Sequence, residues 1–155
     1  KDFDPENDLV FAKEARELFP DNEEISAMYS LIQNGVSNVI EANKYSDTAL
    51  DFYEKKDFNN ALKYFKRAEI LLPNEQAYKE NIATTFLQLK DYDSALRYYD
   101  IVIDSLNPKT GKPEYLKGYL YLLSNKRDSA CLWFLKSFKL KNQIGTQLHE
   151  QYCQN

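Results

Sequence analysis

What most constrains this chain is a pattern that comes round three times between about Asn43 and Asn142. Its clearest copy is Asp57-Phe58-Asn59-Asn60-Ala61-Leu62-Lys63-Tyr64-Phe65-Lys66-Arg67-Ala68, closed by Pro73. It returns as Asp91-Tyr92-Asp93-Ser94-Ala95-Leu96-Arg97-Tyr98-Tyr99, followed by Val102 and Pro108. A weaker copy is Arg127-Asp128-Ser129-Ala130-Cys131-Leu132-Trp133-Phe134, with Ser137 after it. The marker alanines at 61, 95 and 130 are 34 and 35 residues apart. A period of that size is the signature of helical hairpins, each of which buries its apolar face only by stacking on a neighbour. Glycine is scarce, at 4 residues, against 12 tyrosines and 9 phenylalanines, which favours helices packed through bulky contacts.

The hydrophobic spacing extends this reading along the chain. Asp4-Pro5 opens a first helix whose apolar face is Leu9, Ala12, Ala15 and Leu18/Phe19, ended by Pro20. Asp21 and Glu24 form a capping box for a second. Its stripe is Ile25, Met28/Tyr29 and Ile32, and Asn34-Gly35 is its expected stop. Pro20 to Pro73 is one period plus 19 residues, so one extra helix is expected over 36–44, joined to the helix reaching Lys55, with a break near Asn43. Regular pairs follow. Asn107 to Lys112 makes the clearest turn, Pro113 starts a helix to about Ser124, and residues 127–140 form its partner. A last helix, 143–153, sets Ile144, Leu148 and Tyr152 on one face. The chain is thus expected to be one domain, 1–155. It divides into irregular N-terminal helices (1–41, a partial repeat plus an inserted helix), repeats 42–75 and 76–110, a degenerate repeat 111–142, and a capping helix 143–155.

Over roughly residues 42–153 these residues resemble the tetratricopeptide-repeat family. The family places a small residue in the first helix of each unit, here Ala49, Ala83 and Gly118, and a large one three positions on, here Phe52, Phe86 and Tyr121. In the second helix it places Ala61, Ala95 and Ala130, then Phe65, Tyr99 and Phe134, then Ala68, Val102 and Ser137, with Pro73 and Pro108 as terminators. Small side chains let backbones approach and aromatics fill the space beside them. The resemblance implies an all-α fold, a right-handed solenoid of antiparallel helical hairpins with a C-terminal capping helix. The third unit departs from the pattern: Lys117 stands at an apolar position, Arg127 replaces the aromatic of Phe58 and Tyr92, and no proline ends it.

The ending is similar to the closing unit of extracytoplasmic repeat proteins of Bacteroidota-type bacteria, with one cysteine in the last hairpin and a Tyr-Cys near the terminus. That likeness implies a Cys131–Cys153 disulfide. Helix rise agrees, setting the two thiols about 13.5 and 15 Å from the intervening turn on antiparallel helices. The alternative is two unpaired cysteines. A disulfide would imply a periplasmic or otherwise extracytoplasmic location, with the cytoplasm as runner-up.

Catalytic raw material is thin. His149 is the only histidine and reads as a solvated surface residue. Cys131 with His149 would lack a third orienting group. Two cysteines and one histidine at these spacings make no zinc site, and no phosphate loop is present. The expectation is therefore no enzyme, no metal and no cofactor. Residues 1–24 carry nine acids against three bases, and residues 109–141 carry eight bases against two acids. With a net charge of −4 and its bases scattered, the chain is not expected to bind nucleic acid. It is not expected to insert in a membrane either, since no apolar run approaches about 20 residues.

The resemblance implies binding of a protein or peptide in a groove lined by first helices. By the family pattern the groove positions are Asn43, Ser46, Leu50 and Tyr53; then Ala77, Glu80, Thr84 and Leu87; then Lys112, Tyr115, Tyr119 and Leu122. Family members that grip the C-terminal carboxylate of heat-shock chaperones use lysine, asparagine and arginine at set positions. Here Ser46, Leu50 and Leu116 stand at three of those places, and only Asn81 and Lys112 match. A carboxylate clamp is therefore disfavoured, and an apolar side-chain anchor at the C-terminal end of the groove is expected. The function read from the sequence is a non-catalytic interaction scaffold. The alternative is a sensory or regulatory segment of a larger signalling or envelope protein, packed against an adjoining domain.

Overall fold

The computed structural model describes residues 5–106 and 109–153. Among these, every regular element is helical: α1 (Pro5–Leu18), α2 (Glu23–Glu54), α3 (Phe58–Leu71), α4 (Gln76–Gln88), α5 (Tyr92–Ile101) running into a π turn (Val102–Leu106), α6 (Lys112–Leu123), α7 (Arg127–Lys139) and α8 (Gln143–Cys153). Each helix packs on the next, and the whole is a helical solenoid. Asp4, and the turn residues Asn107 and Pro108, lie outside the described residues.

The hairpins are closed by one repeated device. Lys56, Lys90, Asn125 and Lys141 all have a left-handed backbone, with φ of 60, 62, 56 and 61°. At each, the following amide reaches back across the turn: Asp57 N–H to Phe52 O, Asp91 to Phe86, Lys126 to Tyr121 and Asn142 to Ser137, at 2.9–3.2 Å. These paired bonds satisfy carbonyls that a helix end would otherwise orphan. The same residue then begins the next helix. The carboxylates of Asp57 and Asp91 accept from the amides of Asn60 and Ser94, and the Asn142 side chain from Gly145. Lys126 has no such acceptor, so α7 starts without a side-chain cap. Lys126→Asp is expected to raise stability by about 1 kcal/mol. A thermal melt should show an increase of roughly 2–4 °C; an unchanged melt would mean that the start of α7 is already satisfied.

The core is built where the repeat pattern puts small residues against aromatics. Ala49, Ala61, Phe65, Ile82, Ala83, Phe86, Ala95, Tyr99 and Leu120 form one buried cluster, and Ala42, Ala68 and Tyr78 a second. Glu69 adds a polar tie across three helices, accepting from Lys79 Nζ at 2.9 Å and from the Tyr98 hydroxyl at 3.0 Å. Burial, followed by the Glu69 charge, pushes the Tyr98 phenol up to about 12. At the third hairpin, Gly118 lies where a Cβ would come within 2.6 Å of the Phe134 ring, so the helices meet only because that side chain is missing. Gly111 supplies the φ of +70° that turns the chain into α6, and the Ser137 hydroxyl donates to its carbonyl at 2.6 Å.

Several expectations are corrected. Asn34-Gly35 does not stop a helix, and no break occurs near Asn43. α2 runs unbroken for 32 residues, about 48 Å, and absorbs the surplus segment into its own length. An interior glycine costs about 1 kcal/mol, and the buried Val36 next to it keeps the helix packed through this point. The N-cap of α2 is Asn22 rather than Asp21, its side chain accepting from the Ile25 amide. Leu18, Phe19 and Met28 face solvent, at 74, 57 and 50% exposure, rather than joining an apolar stripe. In α8 the buried position is Gly145, with Leu148 and Tyr152 half-buried beside it, while Ile144 points outward.

The oddities of the third unit also have physical explanations. Lys117 is buried at 6% exposure, with its ammonium paired to Asp100 and lying 3.8 Å from the centre of the Trp133 ring. Lys136 covers the same ring at 3.7 Å. Arg127, in place of an aromatic, donates from Nε to the Tyr152 carbonyl in the last turn of α8. Cys131 and Cys153 are joined as a disulfide with Cα atoms 5.6 Å apart, tying α7 to α8. No helix among the described residues is long and apolar enough to cross a membrane.

Candidate functional site

Side chains from α2, α4 and α6 build the candidate site. Leu50 and Tyr53, one turn apart on α2, face Asn81 and Thr84, one turn apart on α4, with Phe65 of α3 beneath them. They line a small, partly open cavity of about 110 Å³. Tyr53 and Leu50 reach it because the neighbouring Ala49 is fully buried and brings α2 close to its neighbours. Burial raises the Tyr53 phenol, an effect partly offset by its hydrogen bond with Gln88. Thr84 Oγ1 donates to the Glu80 carbonyl at 2.8 Å and sits 3.1 Å from the Tyr99 hydroxyl. Tyr99 is wholly buried, and that burial drives its phenol far above the ordinary range.

One turn back along α4, Glu80 is 8% exposed and fully engaged. Its Oε1 accepts from Gln76 Nε2 at 2.6 Å, and its Oε2 accepts from Lys112 Nζ of α6 at 2.7 Å. Glu114, on the same α6 turn, is buried too, and its Oε2 has no hydrogen-bond partner among the described residues. Desolvation raises its carboxyl, while its own amide and Lys136 act in the opposite direction.

The expected groove positions therefore divide. Leu50, Tyr53 and Thr84 converge on one cavity, and Glu80 and Lys112 on one ion pair. Asn43 instead accepts from the Tyr78 hydroxyl at 2.9 Å. Leu87 is half-buried against the main core cluster. Ser46, Tyr115 and Leu122 are half-buried and Tyr119 is exposed. The sequence reading placed the apolar anchor near Tyr115 and Tyr119; the cavity lies at Leu50 and Thr84. Phe65 and Asn81 were outside the list of groove positions. Asn81 enters the sequence reading only as a match to the carboxylate-clamp pattern, and its place one helical turn before Thr84 is the spacing that puts it on the same wall.

His149 is not a solvated residue: it is half-buried, with its ring stacked on Phe138 at 5.8 Å between centroids. Cys131 is held in the disulfide, so it has no thiol to pair with that imidazole. Among the described residues no group of three or more potential ligands could hold a metal ion.

Comparison with known proteins follows this geometry. No protein-family model matches the chain. Among solved structures it is similar to the first TPR of Spaghetti (RPAP3) bound to the HSP90 peptide SRMEEVD. The TM-score is 0.67 at 15% identity, over 75% of this chain and 93% of that one. It is likewise similar to the Arabidopsis OM64 TPR domain (TM-score 0.65, 19% identity, 74% and 96% covered) and to the N-terminal domain of stress-induced protein-1 from C. elegans (0.65, 16%, 74% and 96%). Among curated sequences it is 31% identical over 123 residues to the Hsp70-Hsp90 organising protein of Plasmodium falciparum, across 74% of this chain. The chain spans 22% of that relative's length. These likenesses establish the fold as that of tetratricopeptide-repeat domains.

Proposed function

We propose that this protein is a non-catalytic interaction scaffold that holds a peptide or a partner subunit against α2, α4 and α6. The observation that carries this reading is the cavity between Leu50, Tyr53, Asn81 and Thr84, whose apolar walls and Asn81 amide suit a side chain and its adjoining backbone. A structure of the same fold being solved with a bound peptide supports the class of work. The partner proposed is protein rather than nucleic acid, in keeping with the net charge of −4. Residues 42–75, 76–110 and 111–142 are taken as its three repeats, with 143–155 as the cap.

A random peptide library panned on the protein should yield a consensus segment. Leu50→Lys, which places a charge at the cavity mouth on a 43% exposed position, should weaken that segment at least tenfold without changing the melt. Selected peptides that bind the variant unchanged would move the site elsewhere.

We further propose an oxidising, extracytoplasmic compartment of a Bacteroidota-type cell. The Cys131–Cys153 bond supports the oxidising compartment, because such bonds persist where thiols are not kept reduced, and the cell type rests on the likeness of the chain's ending alone. Finding the native protein with two free thiols would count against it.

A further inference from the structure

We infer that Glu80 is a specificity-determining residue of this groove: it occupies Lys112, denies a peptide carboxylate its cation, and leaves the groove to an internal segment anchored by an uncharged aliphatic side chain. The inference rests on the groove reading above and narrows it to one chemistry. Recognition of a carboxylate requires a positive charge free to meet it. Lys112, at the start of α6, has a side chain half-exposed at 49%, and its ammonium already donates to Glu80 Oε2 at 2.7 Å, with Glu80 one helical turn before Thr84 of the cavity wall. The other Glu80 oxygen is held by Gln76 Nε2 at 2.6 Å, so the carboxylate is fixed from both sides. A second carboxyl, the buried Glu114, lies on the same turn of α6 as Lys112 and contributes no positive charge.

Lys112 keeps further N–H donors, but an incoming carboxylate meets a cation whose charge Glu80 already neutralises; drawing Lys112 away would leave a nearly buried acid without its countercharge, which is the costly direction. The heptapeptide SRMEEVD held by the structural neighbour has Glu-Glu-Asp among its last four residues, and Lys112 offers them no unpaired charge. The cavity is suited to a different occupant. Its 110 Å³ is severalfold the roughly 10–15 Å³ that one water needs, which leaves room for an aliphatic side chain. Leu50, Tyr53 and Phe65 line it, and the Asn81 amide is of the chemistry to meet a backbone amide or carbonyl.

The test uses fluorescein-labelled SRMEEVD with a free C-terminus and the same peptide amidated, titrated into wild type, Glu80→Gln, Lys112→Met and Glu80→Gln/Lys112→Met. Glutamine preserves the shape of Glu80, and circular dichroism melts verify the fold of each variant. In wild type the free and amidated peptides should bind within twofold of each other, and Lys112→Met should leave that ratio within twofold of one. In Glu80→Gln the free-carboxylate peptide should gain at least fivefold over its amide, and the double variant should lose that gain. A wild-type preference for the free carboxylate of fivefold or more overturns the inference. So does a fivefold loss in Lys112→Met that is confined to the free-carboxylate peptide, or an absent gain in Glu80→Gln, whether from unchanged or undetectable binding. A panned consensus ending in acidic residues overturns the inference while the groove reading stands. A neutral aliphatic consensus that ignores Leu50→Lys overturns both.

Discussion

Phe134→Ala is expected to cost about 3–5 kcal/mol, the range for removing a fully enclosed phenylalanine. Phe134 has no exposed surface and lies where Gly118 leaves room for it, with the Tyr152 ring 6.4 Å away. It therefore joins α6, α7 and α8. Neighbours cannot collapse into the space, because Gly118 has no side chain to move and Tyr152 is restrained through the adjacent disulfide. The melting temperature should fall on the order of 10 °C. In a quasi-one-dimensional stack the loss should appear first as early melting of the C-terminal hairpin. Phe138→Ala, at a 45% exposed position, is the control and should cost under about 1 kcal/mol. A matched pair sharpens the claim. Gly118→Ala alone should destabilise, against the usual helix preference for alanine, because its Cβ would meet the Phe134 ring. Combined with Phe134→Ala, the same change should recover part of the loss. A cost below 1 kcal/mol for Phe134→Ala would mean that α6 and α7 do not pack around this ring.

Cleaving the Cys131–Cys153 bond should remove about 3 kcal/mol. The two cysteines are 22 residues apart, and loop-closure entropy for a loop of that length gives roughly that value. The loss should be local. α8 covers Ser137 at Gly145, where any larger residue would overlap the serine hydroxyl that fastens α7 to the Gly111 carbonyl. After reduction, or in Cys131→Ser/Cys153→Ser, hydrogen exchange should accelerate in α8 and the end of α7 first. Amides of α3 and α4 should keep their protection. Uniform loss across all helices would show that the stack melts as one unit. Retained protection in α8 would show that Arg127 and the Gly145 packing hold the cap unaided.

Much of this architecture is legible in the sequence because it depends on side-chain volume at fixed intervals. Ala61, Ala95 and Ala130 recur at 34 and 35 residues and all are fully buried, on the same helix face as Phe65, Tyr99 and Phe134 one turn on. The turns are less legible. Lys56, Lys90 and Lys141 adopt a conformation that their residue type does not announce, and the paired backbone bonds on either side impose it. Gly35 shows the opposite error. A residue that often ends a helix sits inside one, because termination needs a competing set of hydrogen bonds and none forms there. The candidate site is partly legible. Periodicity places Leu50, Tyr53, Glu80 and Thr84 on the faces that meet, but it carries no information about which of them line a cavity.

By itself the sequence determined the helical period, the residues of the inter-helix contacts, and the scarcity of catalytic groups. Those properties follow from spacing and composition, which are local. Only the tertiary structure decided that Lys112 is held by Glu80 from 32 residues away, that Lys117 is buried against Asp100 and Trp133, and that the cavity lies at Leu50 rather than Tyr119. Each depends on distances between helices, and a charge or a void acquires its meaning only from what packing brings beside it.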